Sequence, residues 1–73
     1  MKKDFLLSII IPVYNEEANI SPLLEKLLPV IKQYSYEVLF INDGSTDSTT
    51  KEILKHTKNN SIKYVEFNRN FGH

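Results

Sequence analysis

Two aliphatic runs, each ending in polar residues, constrain the fold of this chain most strongly. Residues 6–13 (LLSIIIPV) lead into Tyr-Asn-Glu-Glu at 14–17, and residues 36–42 (YEVLFIN) lead into Asp-Gly-Ser-Thr at 43–46. A strand that ends in polar residues just before a helical segment is typical of a parallel α/β sheet, whose ligands bind beyond the carboxyl ends of the strands. We therefore predict an α/β fold with a crevice where the two strands end.

The pattern predicts three strands, at residues 6–13, 36–42 and 62–67, in the order β-α-β-α-β. This order implies parallel strands joined by right-handed crossovers, a Rossmann-like arrangement. The first strand is nearly all aliphatic, as expected for a parallel strand that is covered on both faces. The third strand contains Lys63 and Glu66, which favours a place near the edge of the sheet.

Two helices are expected between these strands. Ser21 and Pro22 predict an N-cap followed by proline at the first helical position, although a start one turn earlier, near Glu17, is also compatible with the sequence. Pro29 lies inside this helix, where it removes one hydrogen bond and should kink the axis. The second helix should be capped by Asp47 or Ser48 and run to about residue 57.

Composition narrows the classes of protein and of site. The chain has 73 residues, no net charge and no cysteine. Balanced charge gives no basic surface for nucleic acid, and the lack of cysteine excludes disulfides and thiolate metal sites. Residues 5–14 are too short an apolar run to span a bilayer and have no cleavage site for a signal peptide, so a cytoplasmic protein is expected. Because a domain of this size buries only about 60% of its unfolded surface, we expect residues 1–73 to be the N-terminal fragment of a longer enzyme.

Asp43 is the strongest candidate for binding, since a carboxylate at the end of a strand can accept hydrogen bonds from a nucleobase or a ribose. The alternative is that Asp43 and Ser45 only satisfy backbone groups of the turn. Tyr14 could stack on a base or be a half-buried aromatic residue. Glu16 and its neighbours could face a ligand or could complement the dipole of a helix N-terminus.

Other polar residues have simpler interpretations. Arg69 follows the third strand and could pair with a phosphate or with Glu66. Asp47 is interpreted as a helix cap rather than a ligand, because a calcium loop would need glycine at position 48 and glutamate at position 54. His56 is predicted to lie on a solvated helix face without a functional role. The glycine-rich motifs of dinucleotide-binding and P-loop proteins are absent.

Three blocks together resemble glycosyltransferase family 2: residues 8–17 (SIIIPVYNEE), 37–47 (EVLFINDGSTD) and 68–73 (NRNFGH). The resemblance covers almost the whole chain and implies the front, nucleotide-sugar-binding part of a GT-A fold. The ending Arg-Asn-Phe-Gly is similar to the branch that transfers sugars to polyprenyl phosphates, such as dolichol-phosphate mannosyltransferases.

The resemblance also implies roles for individual residues, in a site that takes a UDP- or GDP-linked sugar. The nucleotide-binding residues would be Pro12, Tyr14, Glu16, Asn42, Asp43 and Arg69. Asp43 would bond the base, Asn42 stands where the family often has aspartate, and Arg69 would lie near the diphosphate. The acceptor would be a polyprenyl phosphate or another molecule, and the longer enzyme could associate with the cytoplasmic face of a membrane.

Neither the metal-binding Asp-X-Asp of the family nor its catalytic base is present, and both would follow His73. A Mg²⁺ or Mn²⁺ ion is therefore expected only in the longer enzyme, with no metal ligand and no catalytic residue in this chain. The chain alone should be inactive, and it should self-associate, because in the family's fold the far edge of the first strand pairs with a later strand. Two alternatives remain open: a stand-alone nucleotide-binding or regulatory α/β module, and a flavodoxin-like or receiver domain.

Overall fold

A computed structural model describes residues 6–66 of the chain. It contains three strands and two helices in the predicted order: β1 (Leu6–Val13), α1 (Ile20–Ile31), β2 (Ser35–Asn42), α2 (Thr49–His56) and β3 (Ile62–Glu66). All three strands are parallel, and their spatial order is β1-β2-β3. The predicted Rossmann-like α/β fold and the edge position of β3 are therefore confirmed.

Both helices pack on the same face of the sheet. Alternate residues of the strands point towards them, and Val38 and Phe40 of the central strand are completely buried there. The helices contribute Ile20, Leu24 and Ile31 from α1 and Ile53 from α2 to this core. A continuous apolar layer between the sheet and the helix pair therefore holds the unit together.

The other face of the sheet is open in the part of the chain that the structure describes. The first strand alternates between exposed and half-buried residues, and Leu6 and Ile10 expose more than half of their surface. The prediction that this strand is covered on both faces is therefore wrong for residues 6–66. The aliphatic sequence of a strand shows that both of its faces can be buried, but which neighbour buries them depends on elements elsewhere in the chain.

The first helix begins two residues before the predicted proline position. Asn19 is its N-cap, so Pro22 is the third helical residue rather than the first. Proline is tolerated there because the first four N–H groups of a helix have no partner within it. Pro29 lies inside the helix as predicted, yet the helix continues to Ile31.

The second helix and the last strand closely match their predictions. Ser48 is the N-cap residue of α2, and the helix ends at His56, one residue short of the expected end. The third strand is described to Glu66, so residue 67 of its predicted range lies outside the described residues. Within residues 6–66, neither helix has the length and apolar character that a bilayer crossing requires.

Candidate functional site

The carboxyl ends of β1 and β2 meet at one edge of the sheet. Val13 is paired with Asn42 across the two strands, and the backbone N–H of Asp43 donates to the carbonyl of Val13 at 3.0 Å. This bond places Asp43 directly beside the first residue after β1, Tyr14. Tyr14 exposes 56% of its surface. Asp43 is half-buried, and its Oδ1 atom is shielded from solvent.

The two loops that follow these strands, residues 14–19 and 43–48, are bonded to each other; we call this pair the loop clasp. Asn15 is its centre: Oδ1 accepts from the N–H of Thr46 at 2.8 Å and from the N–H of Asp47 at 3.3 Å. In return, the N–H of Asn15 donates to Oγ of Ser45 at 2.9 Å. The clasp therefore joins, across the sheet edge, the two sequence blocks that the polar pattern singled out.

Acidic residues of each loop accept bonds from the other loop. Oε1 of Glu17 accepts from the N–H of Ser48 at 3.1 Å, and Oδ2 of Asp47 accepts from the N–H of Glu17 at 3.3 Å. The sequence left open whether the acids at 16 and 17 face a ligand or complement the dipole of a helix N-terminus. The dipole interpretation is wrong for α1, because no acid lies in its first turn and Glu17 instead bonds at the N-terminus of α2.

Asp47 supplies a side-chain capping bond at the start of α2, although Ser48 holds the N-cap position. Its Oδ1 accepts from the N–H of Thr49 at 2.9 Å and also from the Thr49 hydroxyl. Desolvation raises the pKa of Asp47, but hydrogen bonds from Thr49 and Glu17 stabilise its charged form and together bring the pKa below its ordinary value. The carboxylate therefore stays ionised and holds the start of α2.

Asn42 lies under the clasp, turned towards the helices, with only 2% of its surface exposed. Its Nδ2 donates to Oγ1 of Thr50 at 2.8 Å and to the hydroxyl of Tyr64 at 3.1 Å. Its Oδ1 accepts from the N–H of Ser45 at 3.2 Å and from the Ser45 hydroxyl. These four bonds give Asn42 a structural role, while a direct contact with a nucleotide stays a prediction.

A cavity of about 260 Å³ opens between the end of β1 and the start of α1. Two of the predicted site residues, Pro12 and Glu16, contribute to its wall, which is otherwise formed by Ile11, Val13, Asn19, Ile20 and Leu23. Oε1 of Glu16 accepts from Nδ2 of Asn19 at 2.7 Å, so this carboxylate is held at the rim of the cavity. The structure thus brings Pro12, Tyr14, Glu16 and Asp43 to one end of the sheet.

The remaining predictions have mixed outcomes. Arg69 lies outside the described residues. Among residues 6–66, no group of three or more histidine or acidic side chains could hold a metal ion, so these residues do not fit a divalent cation site. The imidazole of His56 is not on a fully solvated face as predicted, since its Nε2 lies 2.9 Å from Oγ of Ser21 and links the two helices.

Sequence reasoning missed Thr50 and Tyr64 as parts of this site, and it considered Asn15 only together with the acids at 16 and 17 and Ser45 only as a turn residue. Asn15 offered one signal, because asparagine is enriched in the left-handed conformation in which it is found here, with φ of 51°. Tyr64 and Thr50 offered none, since their partner Asn42 is distant in sequence and its orientation depends on how the helices pack.

Comparison with known proteins finds relatives with similar sequences. A glycosyltransferase from Synechocystis sp. is 45% identical over 90% of this chain and 22% of its own length. A dodecaprenyl-phosphate galacturonate synthase from Rhizobium johnstonii is 34% identical over 90% of this chain and 21% of its own length. An undecaprenyl-phosphate 4-deoxy-4-formamido-L-arabinose transferase from Proteus mirabilis is 38% identical over 89% of this chain and 21% of its own length. The chain thus spans about a fifth of the length of these relatives.

A similar fold occurs in the crystal structure of glucosyl-3-phosphoglycerate synthase from Mycobacterium tuberculosis, which was solved in complex with UDP. The TM-score is 0.65 at 22% identity, and the match covers 86% of this chain and 21% of the synthase. This likeness shows the GT-A type of fold. The sequence model described as "Glycosyl transferase family 2" matches residues 8–73. On this match and on the fold, the chain belongs to glycosyltransferase family 2.

Proposed function

We propose that this chain forms the donor-binding part of a glycosyltransferase that transfers a sugar from a nucleotide sugar to a polyprenyl phosphate. The observation that carries the proposal is the bond from Asp43 N–H to the Val13 carbonyl, which sets Asp43 beside the exposed residue Tyr14 at the carboxyl edge of a parallel sheet. Ligands of open α/β sheets bind at such an edge. The named activities of the relatives from Rhizobium johnstonii and Proteus mirabilis support the polyprenyl-phosphate acceptor.

The chemistry of the edge suits a nucleoside. The ring of Tyr14 offers a face on which a base can stack. The carboxylate of Asp43 can accept hydrogen bonds from base N–H groups or from ribose hydroxyls. Pro12 and Glu16 would line the same pocket, Asn42 would support it from below, and Arg69 would approach the diphosphate. We infer that the donor is a UDP- or GDP-linked sugar.

The chemical step itself needs groups that residues 6–66 do not supply. A divalent cation neutralises a leaving diphosphate, and the described residues form no site for one. We therefore infer that residues 1–73 bind the donor without transferring its sugar, and that Mg²⁺ or Mn²⁺ is held by other residues of a longer enzyme. We also infer that the donor is bound on the cytoplasmic side of the membrane. Sugar transfer to a polyprenyl phosphate by the 73-residue chain, above a protein-free control, would refute the inference that this chain binds the donor without transferring its sugar.

The test of the binding role is a titration of the chain with UDP and with GDP, followed by calorimetry or by NMR. We expect Asp43→Ala to weaken binding by about 1–3 kcal/mol, because polar groups of the bound base would lose their partner. Glu25→Ala is the matched control, since it removes an exposed acid from α1, away from the sheet edge. Equal affinity of the original chain and Asp43→Ala would remove Asp43 from the base-binding role.

A stand-alone nucleotide-binding module is the second candidate function. The open face of the sheet is the feature that distinguishes it from part of a longer enzyme. A module that functions alone must remain soluble as a monomer with Leu6 and Ile10 exposed, whereas part of a longer enzyme can have this face covered by other segments. The association measurement described in the Discussion therefore also distinguishes these two functions.

A further inference from the structure

We propose that Asn15 is the positioning residue of the nucleotide site, because it holds the loop that carries Asp43 against the end of β1. This inference rests on the proposed donor-binding function and assigns to Asn15 no contact with the nucleotide. Its basis is the geometry of the loop clasp rather than any single capping bond.

The first observation is the backbone of Asn15. Its φ of 51° lies in the left-handed region. This region is energetically unfavourable for residues other than glycine, but asparagine tolerates it better than most of them. This conformation turns the chain sharply after β1. The strained turn persists because its N–H and its side chain are both bonded to the opposite loop.

The second observation is the number of hydrogen-bond donors that bond to the side-chain oxygen of Asn15. Oδ1 of Asn15 accepts from the N–H groups of Thr46 and Asp47 and from the hydroxyl of Thr46, at 3.4 Å. Successive backbone N–H groups of an irregular loop need such an acceptor or water. A fixed oxygen on the neighbouring loop therefore determines where residues 45–47 lie.

The third observation is continuity with the buried layer. Ser45, which accepts from the N–H of Asn15, donates to the buried side chain of Asn42, and Asn42 is bonded in turn to Thr50 and Tyr64. Besides the bonds between Glu17 and residues 47 and 48 and the bond from Asp43 N–H to Val13, the loop between β2 and α2 is held from below by Asn42 and from the side by Asn15. Asp43 and Gly44, whose φ is 73°, lie between these two attachments. Release of the side attachment should let this turn fluctuate and should lower the fraction of chains that are ready to bind.

The experiment compares Asn15→Gly and Asn15→Asp with the original chain, all at 73 residues. Glycine accepts the left-handed backbone but lacks the oxygen, whereas aspartate keeps the acceptor oxygen. Asn60→Gly is the control, because Asn60 is an exposed turn residue at the start of β3 rather than at the clasp. Amide hydrogen exchange without ligand, thermal unfolding and UDP titration by NMR are measured for each chain.

We expect the Thr46 and Asp47 amides to exchange faster in Asn15→Gly than in the original chain, and to exchange slowly in Asn15→Asp. The thermal midpoint of Asn15→Gly should be close to that of Asn60→Gly. The dissociation constant for UDP should rise about fivefold in Asn15→Gly, which corresponds to the net worth of one hydrogen bond. Because coupling is reciprocal, saturating UDP should slow the exchange of these two amides more in Asn15→Gly than in the original chain. A purely structural role would not produce this ligand-dependent recovery.

Two results would overturn the proposal while leaving the donor-binding function intact. One is unchanged exchange at Thr46 and Asp47 in Asn15→Gly, which would show that Asn15 does not hold the loop. The other is faster exchange with an unchanged dissociation constant for UDP, which would show that the clasp does not position the site. If the original chain binds neither UDP nor GDP, the donor-binding function fails as well, since there is then no site to position.

Discussion

Asn42 illustrates how a single buried polar side chain can organise the loop beside a candidate site. Its four hydrogen bonds connect the end of β2 to the following loop, to α2 and to β3 through Ser45, Thr50 and Tyr64. Thr50 and Tyr64 are also bonded to each other, at 3.1 Å between their oxygens. Buried polar groups are costly when a partner is lost, so the network is sensitive to any change at its centre.

We expect Asn42→Ala to lower the free energy of unfolding by about 1–3 kcal/mol, because it leaves buried polar partners unsatisfied. Asn60→Ala, at an exposed position, should change it by less than about 0.5 kcal/mol. Urea denaturation followed by circular dichroism measures both values. Equal stabilities of the two variants would show that the network contributes nothing beyond what water can replace.

The lowered pKa of Asp47 predicts a pH dependence of stability. A carboxyl whose pKa is lower in the folded chain than its model value of 3.8 stabilises the fold above that value, and this contribution is lost as the pH falls through the lower, folded pKa. The original chain should therefore lose more stability between about pH 5 and pH 2.5 than Asp47→Asn, in the range around the ordinary pKa of aspartate. Denaturation at several pH values, with Glu25→Gln as the control, measures the difference. Parallel profiles for Asp47→Asn and the original chain would contradict this assignment.

At the scale of the elements, α1 contains residues that are unfavourable in a helix. The first helix carries two prolines, Pro22 in its first turn and Pro29 near its end. Only Pro29 replaces a residue whose N–H would bond within the helix. The surrounding apolar residues Leu24 and Ile31 are buried, so packing against the sheet maintains a helix that its own propensity disfavours.

Replacement of Pro29 by alanine should therefore stabilise the chain. Proline costs a helix interior about 3 kcal/mol relative to alanine, and part of this gain is offset because proline also restricts the unfolded chain by about 0.4–1 kcal/mol. We expect a net increase of about 2 kcal/mol in the free energy of unfolding, measured by urea denaturation. Pro12→Ala, in β1, provides a proline control outside the helix. A loss of stability in Pro29→Ala would show that the ring of this exposed proline contributes contacts that outweigh the backbone term.

At the scale of the whole molecule, helices cover one face of the sheet, and the other face is open within residues 6–66. In the described residues β1 pairs with β2 alone, so one side of β1 is an open edge. The uncovered face presents Leu6 and Ile10 to solvent next to this edge, and Val65 on β3 at the other side of the sheet. An exposed strand edge together with an apolar patch favours association with another chain.

We therefore propose that the 73-residue chain self-associates at micromolar concentration, as sedimentation velocity would show. Ile10→Lys should weaken this association, because it places a charge on the open face without removing a buried side chain. Val30→Lys is a matched control, since Val30 is 62% exposed and Ile10 is 61% exposed, but Val30 lies on α1 instead of the sheet. A monomeric, cooperatively folded chain with protected β1 amides would contradict self-association and favour the stand-alone module.

Local sequence determined the strands and the polar ends of β1 and β2, because the alternation of apolar and polar segments depends only on neighbouring residues. For the same reason, the motif at residues 42–47 is enough to single out Asp43 as a candidate for binding and Asp47 as a helix cap. The start of α1 was displaced by two residues because Asn19, with its turn to Glu16, competes with Ser21 as the N-cap. Such competition between nearby caps is decided by the path of the loop rather than by residue preference.

Tertiary structure alone decided which groups face each other. The clasp around Asn15 joins residues about thirty positions apart, as in the bond from Thr46 N–H to Asn15 Oδ1 with a separation of 31 residues. In the same way, the packing of the two βα units decides the orientation of Asn42 and the open face of β1. It also decides that Glu17 bonds at the N-terminus of α2 instead of α1. Periodicity encodes which residues can be buried, but hydrogen bonds between distant loops form only when the sheet has set their spacing.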